Sequence, residues 1–300
     1  MPGSRLLVTG GTGFAGSALV ARAAAAGRFE VHATRHRATP AGPAADAATW
    51  HPLDVRDEAA TRALVEALAP AVVVHAALDV SPGALREVAV DGAAHVAGAA
   101  RAAGAAHIHL SSDMVFAGES VPYDEDHAPD PVSDYGRAKA DAEARVRAAH
   151  PGAVIVRLSL LYRLDPPDRS LAAWIDDARS GRAYSLFVDE IRCPGQVDDV
   201  AEALHRLAVA QADGGPAVPP IVHLAGPVPI TRYAFGLGVL EALGLPDSLA
   251  VPGRASDAPV ERPRELVLVA RTTPPWLTAP LRSPAEVFHA RPRPMPPAAR

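Results

Sequence analysis

Residues 5–16 read Arg-Leu-Leu-Val-Thr-Gly-Gly-Thr-Gly-Phe-Ala-Gly, an apolar run that leads straight into a loop with glycines at positions 10, 13 and 16. The apolar run predicts a strand, and the alanine-rich stretch after it predicts a helix at about 13–27. Glycines at this spacing allow a tight turn, a backbone free of side chains and close packing of the helix on the sheet. The free N–H groups of the helix can then face a pyrophosphate, so the stretch predicts a dinucleotide site. The alternative is a glycine turn that binds nothing.

Apolar strands alternate with helices along the first half of the chain. The strands are predicted at 5–9, 29–33, 71–76, 107–111 and 153–158. The helices that follow the first one are predicted at about 57–69, 84–103 and 134–149. Short apolar strands without strict alternation, separated by helices, are typical of a parallel sheet covered on both faces. The predicted fold class is therefore α/β, a doubly wound parallel sheet of the Rossmann type with a smaller C-terminal lobe.

The pattern loosens after residue 165. Helices are predicted near 168–180, 197–212 and 230–244, with a strand at 221–225 and a proline-rich stretch of loops and short helices from Pro246 onward. We expect three parts: a dinucleotide-binding core at 1–165, mainly a substrate-binding lobe with interleaved core elements at 166–290, and a disordered tail at 291–300.

The composition excludes several classes of protein. The 300 residues carry 29 Lys and Arg against 34 Asp and Glu, a net charge of −5, whereas nucleic-acid binding usually needs a basic surface. At 49% hydrophobic residues the chain can bury a core, and its single cysteine, Cys193, cannot form an internal disulfide. The first residues carry no charged and apolar leader, and no apolar run reaches the ~18 residues of a membrane span. We therefore expect a cytoplasmic protein with no nucleic-acid or membrane partner.

The residues after the second strand select between the two nicotinamide cofactors. An acid there binds a ribose 2′-hydroxyl, whereas an arginine suits a 2′-phosphate. Residues 31–37 read Val-His-Ala-Thr-Arg-His-Arg and contain no acid. We therefore predict NADP(H), with Arg35 as the leading contact and Arg37 as the second. NAD(H) is the alternative cofactor, and a solvated basic loop is the alternative role for the arginines.

Further cofactor contacts are predicted where the chain leaves later strands. Asp54 is placed to accept a hydrogen bond from the adenine amino group and Val55 to pack on its ring, although Asp54 alone also fits a helix cap or a turn. Ala76 and Ala77 are small and leave room for a cofactor that crosses the strand ends. The loop residues predicted to contact the cofactor are Gly10, Thr12, Gly13, Phe14 and Ala15.

A tyrosine and a lysine stand four residues apart, at Tyr135 and Lys139, near the start of a predicted helix, so they share one helix face. A phenol has a pKa of about 10, and an adjacent ammonium is expected to draw that pKa down toward the working range. Ser111, Ser112 and Asp113 end the strand before, at the edge where ligands of such sheets bind. A serine hydroxyl can hold a carbonyl there while the tyrosine passes a proton.

Together these segments resemble the extended short-chain dehydrogenase/reductases, and most of all the dTDP-4-dehydrorhamnose reductase group. The segments that carry the resemblance are Thr-Gly-Gly-Thr-Gly-Phe-Ala-Gly at 9–16, Leu-Ser-Ser-Asp-Met-Val-Phe-Ala-Gly at 110–118, Val-Pro-Tyr-Asp-Glu-Asp at 121–126 and Tyr-Gly-Arg-Ala-Lys at 135–139. The resemblance spans about residues 5–245. The chain departs from the group at Met114, where tyrosine is usual, and at His75 and Asp91, where asparagine is usual.

The resemblance implies an NADPH-dependent reductase of a keto-sugar nucleotide or a related carbonyl. Ser112, rather than Ser111, then holds the catalytic hydroxyl position, Tyr135 is the acid/base and Lys139 binds the nicotinamide ribose, so both of the latter also belong to the cofactor site. A homodimer formed through the long helices that flank the sheet is also implied. The implied substrate contacts are Asp113, Met114 and Arg192.

Two other functions fit the same residues. One is a sugar-nucleotide epimerase or dehydratase that keeps its NAD(P) bound, with Asp113 as one member of an extra acid/base pair. The other is a non-catalytic NADP-binding regulatory subunit, because a fold alone does not fix a function. No metal is expected, since the 12 histidines are scattered and no Asp, Glu or Cys partner stands at ligand spacing.

Overall fold

A computed structural model describes residues 3–81, 83–119, 122–215, 217–258, 261–271 and 274–289. The strands are, in chain order, β1 (Ser4–Thr9), β2 (Phe29–Arg35), β3 (Thr49–Pro52), β4 (Val72–His75), β5 (Ala106–Ser112), β6 (Val154–Leu158), β7 (Leu161–Tyr162), β8 (Tyr184–Phe187), β9 (Ile191–Arg192), β10 (Gly195–Gln196), β11 (Ile221–Leu224), β12 (Ile230–Thr231) and β13 (Ala250–Gly253). The α-helices are α1 (Phe14–Ala26), α2 (Glu58–Leu68), α3 (Ala93–Ala102), α4 (Asp134–Ala149), α5 (Arg169–Arg179), α6 (Val197–Ala212), α7 (Arg232–Leu243) and α8 (Pro284–His289), and a π-helical segment, Glu87–Gly92, leads directly into α3.

Seven strands form one sheet in the order β11-β6-β5-β4-β1-β2-β3. All neighbouring strands in this sheet are parallel. The chain builds outward from β1 to β3, then crosses to the other side of β1 and builds outward again from β4. Ligands of open parallel sheets bind beyond the carboxyl ends of the strands at such a reversal. The structure confirms the predicted doubly wound α/β fold.

Helices cover both faces of the sheet. On one face, α1 and α6 pack over strand residues such as Leu6 and Ile108. On the other face, α2 and α3 pack over Val73, and α3 meets α4 through Ala97 and Ala142. Small side chains at that contact allow the two helices to lie close together. Because both faces are covered, side chains on both faces of β4, β5 and β6 are buried rather than alternately buried and exposed.

The segments after β6 divide between the sheet and a smaller lobe. In the lobe, α5, α7 and α8 pack with β8 and β13 around Trp174, Phe235 and Phe288. The ring of Tyr162 meets those of Phe235 and Phe288 edge-on, at centroid distances of 5.1 and 5.9 Å. In contrast, α6 packs on α1, and β11 is the edge strand of the seven-stranded sheet.

Seven of the described strands arise where the sequence patterns do not indicate them: β3, β8, β13 and the two-residue strands β7, β9, β10 and β12. β3 pairs with β2, and β8 pairs in parallel with β13, although prolines predict loops and short helices in that last stretch. Pro252 is accommodated because β13 belongs to a two-stranded sheet, in which each strand is an edge. The tail predicted at 291–300 lies outside the described residues.

A buried ion pair joins β6 to α4. Arg157 donates to both carboxylate oxygens of Glu143, from Nε to Oε1 at 3.0 Å and from Nη2 to Oε2 at 2.8 Å. Ser111 also donates to Oε1, at 2.5 Å, and the guanidinium lies 4.9 Å from the ring centre of Phe116. Paired hydrogen bonds of this kind compensate for taking two charges out of water.

Four histidines lie side by side under α3 and α4, and we call them the histidine row: His75 on β4, His107 and His109 on β5, and His150 after α4. The ring centroids of His75 and His109 are 5.4 Å apart, those of His75 and His107 6.5 Å, and those of His107 and His150 6.0 Å. Burial lowers the pKa of His75 to about 3 and holds the pKa of His107 and of His109 well below the usual range. These three rings are therefore neutral in the folded protein.

We expect acid to destabilise the fold through the histidine row. The unfolded chain protonates histidine below a pKa of about 6.5, whereas the folded chain keeps three of these rings neutral. The free energy of unfolding should therefore fall by about 1.4 kcal/mol per ring between pH 7.5 and 5.5. Urea unfolding at the two pH values measures this fall. His107→Phe should reduce this fall by about 1.4 kcal/mol, the contribution of one ring. An equal fall in the variant and in the wild type would contradict a neutral His107 in the folded protein.

Breaking the buried ion pair should destabilise the fold strongly. Arg157→Met leaves the Glu143 carboxylate buried without its partner, which should lower the free energy of unfolding by about 3–5 kcal/mol. The double variant Arg157→Met/Glu143→Gln should recover most of that loss, because the unpaired charge is gone. Arg5→Met is the matched control, since it breaks a half-exposed pair with Glu30 and should cost far less than Arg157→Met. Urea unfolding of the four proteins decides the matter, and a similar loss in both single variants would be the contrary result.

Candidate active site

A cavity of about 770 Å³ lies along the carboxyl edge of the sheet, across the reversal between β1 and β4. The loop after β1 forms one wall, and the ends of β4 and β5 and the first turn of α4 form another. The structure brings together at this cavity nearly all the residues predicted to bind the cofactor or to catalyse. Those that line it are Gly10, Thr12, Gly13, Phe14, Ala15, Asp54, Val55, Ala76, Ala77, Ser112, Tyr135 and Lys139.

The glycine loop brings bare backbone to the edge of this cavity. Gly10 has φ +74°, and a Cβ on it would lie 2.4 Å from the backbone nitrogen of Ala77. A Cβ on Gly16 would lie 2.3 Å from the carbonyl oxygen of Gly10. Gly13 precedes α1, and no side chain caps the amino end of this helix. The loop therefore presents helical N–H groups to the cavity, which is the arrangement that a phosphate requires.

Charged side chains of both signs lie at the far end of the cavity, beyond β2 and β3. The lining there includes Arg37, Arg56, Asp54 and Asp79, with His36 beside them. Arg35, predicted as the leading contact for a 2′-phosphate, is not among the lining residues. Its neighbour in β2, Thr34, turns toward the glycine loop and accepts from the N–H of Gly10 at 3.1 Å, so strand alternation directs Arg35 to the other side. Arg37, the second predicted contact, is the arginine of this segment that reaches the cavity.

Asp54 lies at the same end, but its carboxylate already has a partner. Arg56 Nε donates to Oδ1 and Oδ2 at 3.0 Å each, and Nη2 donates to Oδ2 at 2.6 Å. These hydrogen bonds lower the pKa of Asp54 to about 2. The neighbouring Val55 packs against Gly92, where a Cβ would lie only 2.6 Å from Val55 Cγ2. Asp54 is thus a fixed anion at the rim of the cavity.

Ser112, Tyr135 and Lys139 meet where β5 and α4 approach each other. Ser111 is committed to Glu143, which leaves Ser112 as the serine on the Tyr135 side. Burial raises the pKa of Tyr135 to about 12, and a hydrogen bond with Ser112 opposes this rise only in part. Lys139 Nζ donates to the carbonyl of Leu110 at 2.6 Å.

The electrostatics of the pair differ from the expectation. The sequence predicts that the ammonium lowers the pKa of Tyr135, but the structure has that pKa raised, because desolvation of the phenolate dominates. Burial also lowers the pKa of Lys139 to about 8, with an opposing effect of Glu143. Tyr135 is therefore a protonated phenol at neutral pH.

Asp113, Met114 and Arg192, the implied substrate contacts, meet one another behind the cavity and do not line it. Asp113 is buried and accepts from Ser112 Oγ at 3.2 Å and from Ser159 Oγ at 2.7 Å. Burial raises its pKa, against the opposing charge of Arg192. Arg192 donates to the carbonyl of Pro263 at 3.2 Å and lies 3.8 Å from Met114 Sδ. The group therefore links the active-site strand to the lobe.

Several lining residues have no signal in the sequence patterns. Leu53 and Val88 are ordinary apolar residues, and Asp79 and Arg56 belong to exposed loops. Thr34 and His36 have a local signal, since both lie in the 31–37 segment after the second strand that indicates the cofactor preference. The remaining unpredicted residues of the lining are Ala38, Leu78, Leu110, Leu158, Ser159 and Leu161.

In the part of the chain that the structure describes, no three His, Cys, Asp or Glu side chains are grouped so as to hold a metal ion. Nor does any helix there have the length and apolar character to cross a membrane.

Similarity to known proteins identifies the family. Methionine adenosyltransferase 2 subunit beta of Xenopus laevis is 30% identical over 270 residues, covering 87% of this chain and 78% of that protein. The probable low-salt glycan biosynthesis reductase Agl14 of Haloferax volcanii is 32% identical over 168 residues, covering 54% of each chain. The crystal structure of dTDP-4-dehydrorhamnose reductase from Bacillus anthracis in complex with NADP has the same fold, with a TM-score of 0.78, 19% identity and coverage of 96% of this chain and 98% of that one.

A family model described as RmlD substrate binding domain matches residues 4–283. This match confirms the resemblance that the glycine loop and the Tyr135 segment indicate. The chain belongs to the RmlD substrate binding domain family.

Proposed function

We propose that the protein is an NADPH-dependent reductase of a keto-sugar nucleotide or a related carbonyl compound. The observation that carries the proposal is the arrangement of Ser112, Tyr135 and Lys139 at one end of a cavity whose other end is lined by Arg37. The relatives named as reductases support it, because their names describe the same class of chemistry.

The cavity fits a dinucleotide with a 2′-phosphate. Gly10 and Gly16 leave no space for side chains, and the amino end of α1 is open to a pyrophosphate. Arg37, with His36 beside it, can hold a further phosphate at the far end, whereas Arg56 is already paired with Asp54 and Glu87. Ala76 and Ala77 line the middle, where small side chains leave room.

When bound, NADPH supplies a hydride from C4 of its nicotinamide to the carbonyl carbon. Ser112 and Tyr135 hold the carbonyl oxygen, and Tyr135 gives that oxygen its phenolic proton as the alcohol forms. Burial favours the protonated phenol, so the proton donor is ready at neutral pH. Lys139, one helical turn away, stabilises the phenolate that remains. Tyr135 then regains a proton from solvent, and the overall reaction consumes one carbonyl, one NADPH and one proton.

A second candidate is a subunit that binds the dinucleotide without turning it over. The observation in its favour is the similarity to methionine adenosyltransferase 2 subunit beta, whose name describes a subunit of another enzyme. The presence of all three catalytic residues in the cavity favours the reductase. Turnover distinguishes the two candidates.

We expect Tyr135→Phe to lower the rate of NADPH oxidation by about 10²–10⁴-fold, because it removes the proton donor and leaves the shape of the site unchanged. A panel of 4-keto sugar nucleotides and simpler ketones, followed at 340 nm, provides the measurement. Tyr184→Phe, in the lobe, is the matched control and should retain full activity.

Three results would speak against the reductase. NADPH that binds without oxidation by any compound of the panel would favour the subunit. A cofactor that co-purifies and resists dialysis would favour an epimerase or dehydratase. Full activity in Tyr135→Phe would remove the proposed role of the phenol.

The two arginines after β2 should differ in their effect on cofactor preference. Arg37→Ala should weaken NADPH binding by about 10–100-fold and leave NADH binding nearly unchanged, because a charge-assisted contact with the 2′-phosphate is lost. Arg35→Ala is the control. It should change the affinity for NADPH and the affinity for NADH by less than Arg37→Ala changes the affinity for NADPH. Titration of nicotinamide fluorescence measures all four affinities. The reverse ranking of the two variants would restore Arg35 as the leading contact.

A further inference from the structure

The histidine row is rich in buried nitrogen atoms without a partner. Six ring nitrogens of the row have no hydrogen-bond partner among the described residues. They are both nitrogens of His107, both nitrogens of His109, Nε2 of His75 and Nδ1 of His150. Leaving such an atom unpaired in the interior is costly. Six of them in one row indicate a partner that is not a side chain, and buried water is the usual partner of polar atoms that no protein group pairs.

The row extends from the active site toward the surface. At its inner end, Lys139 donates to the carbonyl of Leu110, the residue that follows His109. The charge of Lys139 reaches both His75 and His109, where it adds to the effect of burial on their pKa values. At the outer end, His150 is half-buried, and its Nε2 lies 3.1 Å from the carbonyl of Ala105.

Burial keeps the rings of His75, His107 and His109 neutral, and the charge of Lys139 adds to this effect at His75 and His109. The charged residues of the neighbouring elements are Lys139 and Glu143 of α4 and Arg157 of β6. Glu143 and Arg157 compensate each other in their ion pair. Lys139 has no carboxylate within ion-pair distance among the described residues, so its charge opposes a second positive charge on the nearest rings. A neutral imidazole has one N–H donor and one nitrogen acceptor, and it can therefore take up a proton on one side and release another on the other.

We propose that the histidine row is a hydrated path through which Lys139 exchanges protons with solvent while a dinucleotide fills the cavity. Lys139 lines that cavity, so a bound dinucleotide covers its direct route to solvent. The path leads away from the cavity along the face of the sheet under α3 and α4. It passes His109, His75 and His107 and ends at His150. Its use in turnover depends on the proposed function, but its hydration does not.

Exchange of the ring N–H protons with water tests the path directly. In the NADPH-loaded protein labelled with ¹⁵N-histidine, the ring N–H of His107 and of His109 should exchange with water within seconds. In a dry core they would exchange only as slowly as the most protected backbone amides of β5, since both would then require unfolding. Equal rates for the rings and those amides would overturn the proposal.

Variants separate a path from simple packing. His107→Phe interrupts the row and should slow exchange at His109 by at least tenfold, while His107→Gln, which keeps a donor and an acceptor, should preserve it. His205→Phe is the matched control, because His205 packs against Phe29 on the opposite face of the sheet. If His107→Phe does not fold, the ring exchange rates of the wild type and of His107→Gln are compared with the exchange rates of the β5 amides. That comparison still distinguishes a hydrated row from a dry core. Unchanged exchange at His109 in His107→Phe would refute the path.

The same measurement distinguishes failure of the path from failure of the proposed function. If nicotinamide fluorescence shows that NADPH does not bind, the proposed function fails. The path is then tested in the free protein by the ring exchange of His107, the buried ring next to His150. Fast exchange there supports a hydrated row without catalysis, and slow exchange rejects it.

Discussion

The loop after β1 runs so close to the segment after β4 that no side chain fits between them. A Cβ on Gly10 would fall 2.4 Å from the nitrogen of Ala77, and one on Gly16 would fall 2.3 Å from the carbonyl of Gly10. This contact draws the amino end of α1 against the sheet at the point where the strand order reverses. The cavity, its phosphate-binding edge and the approach of β5 to α4 all depend on that closeness. One steric constraint at a single turn therefore positions groups that come from distant parts of the chain.

Features that depend on local sequence were predictable. The loop between residues 10 and 16 carries its own geometry, because only glycine tolerates both the φ of Gly10 and the contact at Gly16. Tyr135 and Lys139 are joined by one helical turn, so their spacing alone places them on one face. The apolar strands and the alanine-rich helices likewise predict the doubly wound sheet. In each case the physical cause lies within a few residues.

Features that depend on contacts between distant segments were not predictable. Whether Arg35 or Arg37 reaches the cavity depends on which way Thr34 points, and that follows from its hydrogen bond to Gly10 in another segment. The raised pKa of Tyr135 reflects burial by the folded chain, which outweighs its hydrogen bond with Ser112. β8 and β13 are strands because each pairs with the other, although 62 or more residues separate them. The residues proposed for the cofactor and for catalysis converge on one cavity.

The chain crosses between sheet and lobe several times. It leaves the sheet after β6, forms α5 and β8 in the lobe, returns in α6 and β11, and leaves again for α7 and β13. α6 covers α1, the helix that carries the glycine loop, and β11 covers the edge of β6. The lobe is therefore not a removable module, since a chain cut after Leu158 would lose the cover of α1 and leave β6 as an open edge. In evolutionary terms, the lobe of this architecture can change by substitution within it but not by exchange as a single terminal segment.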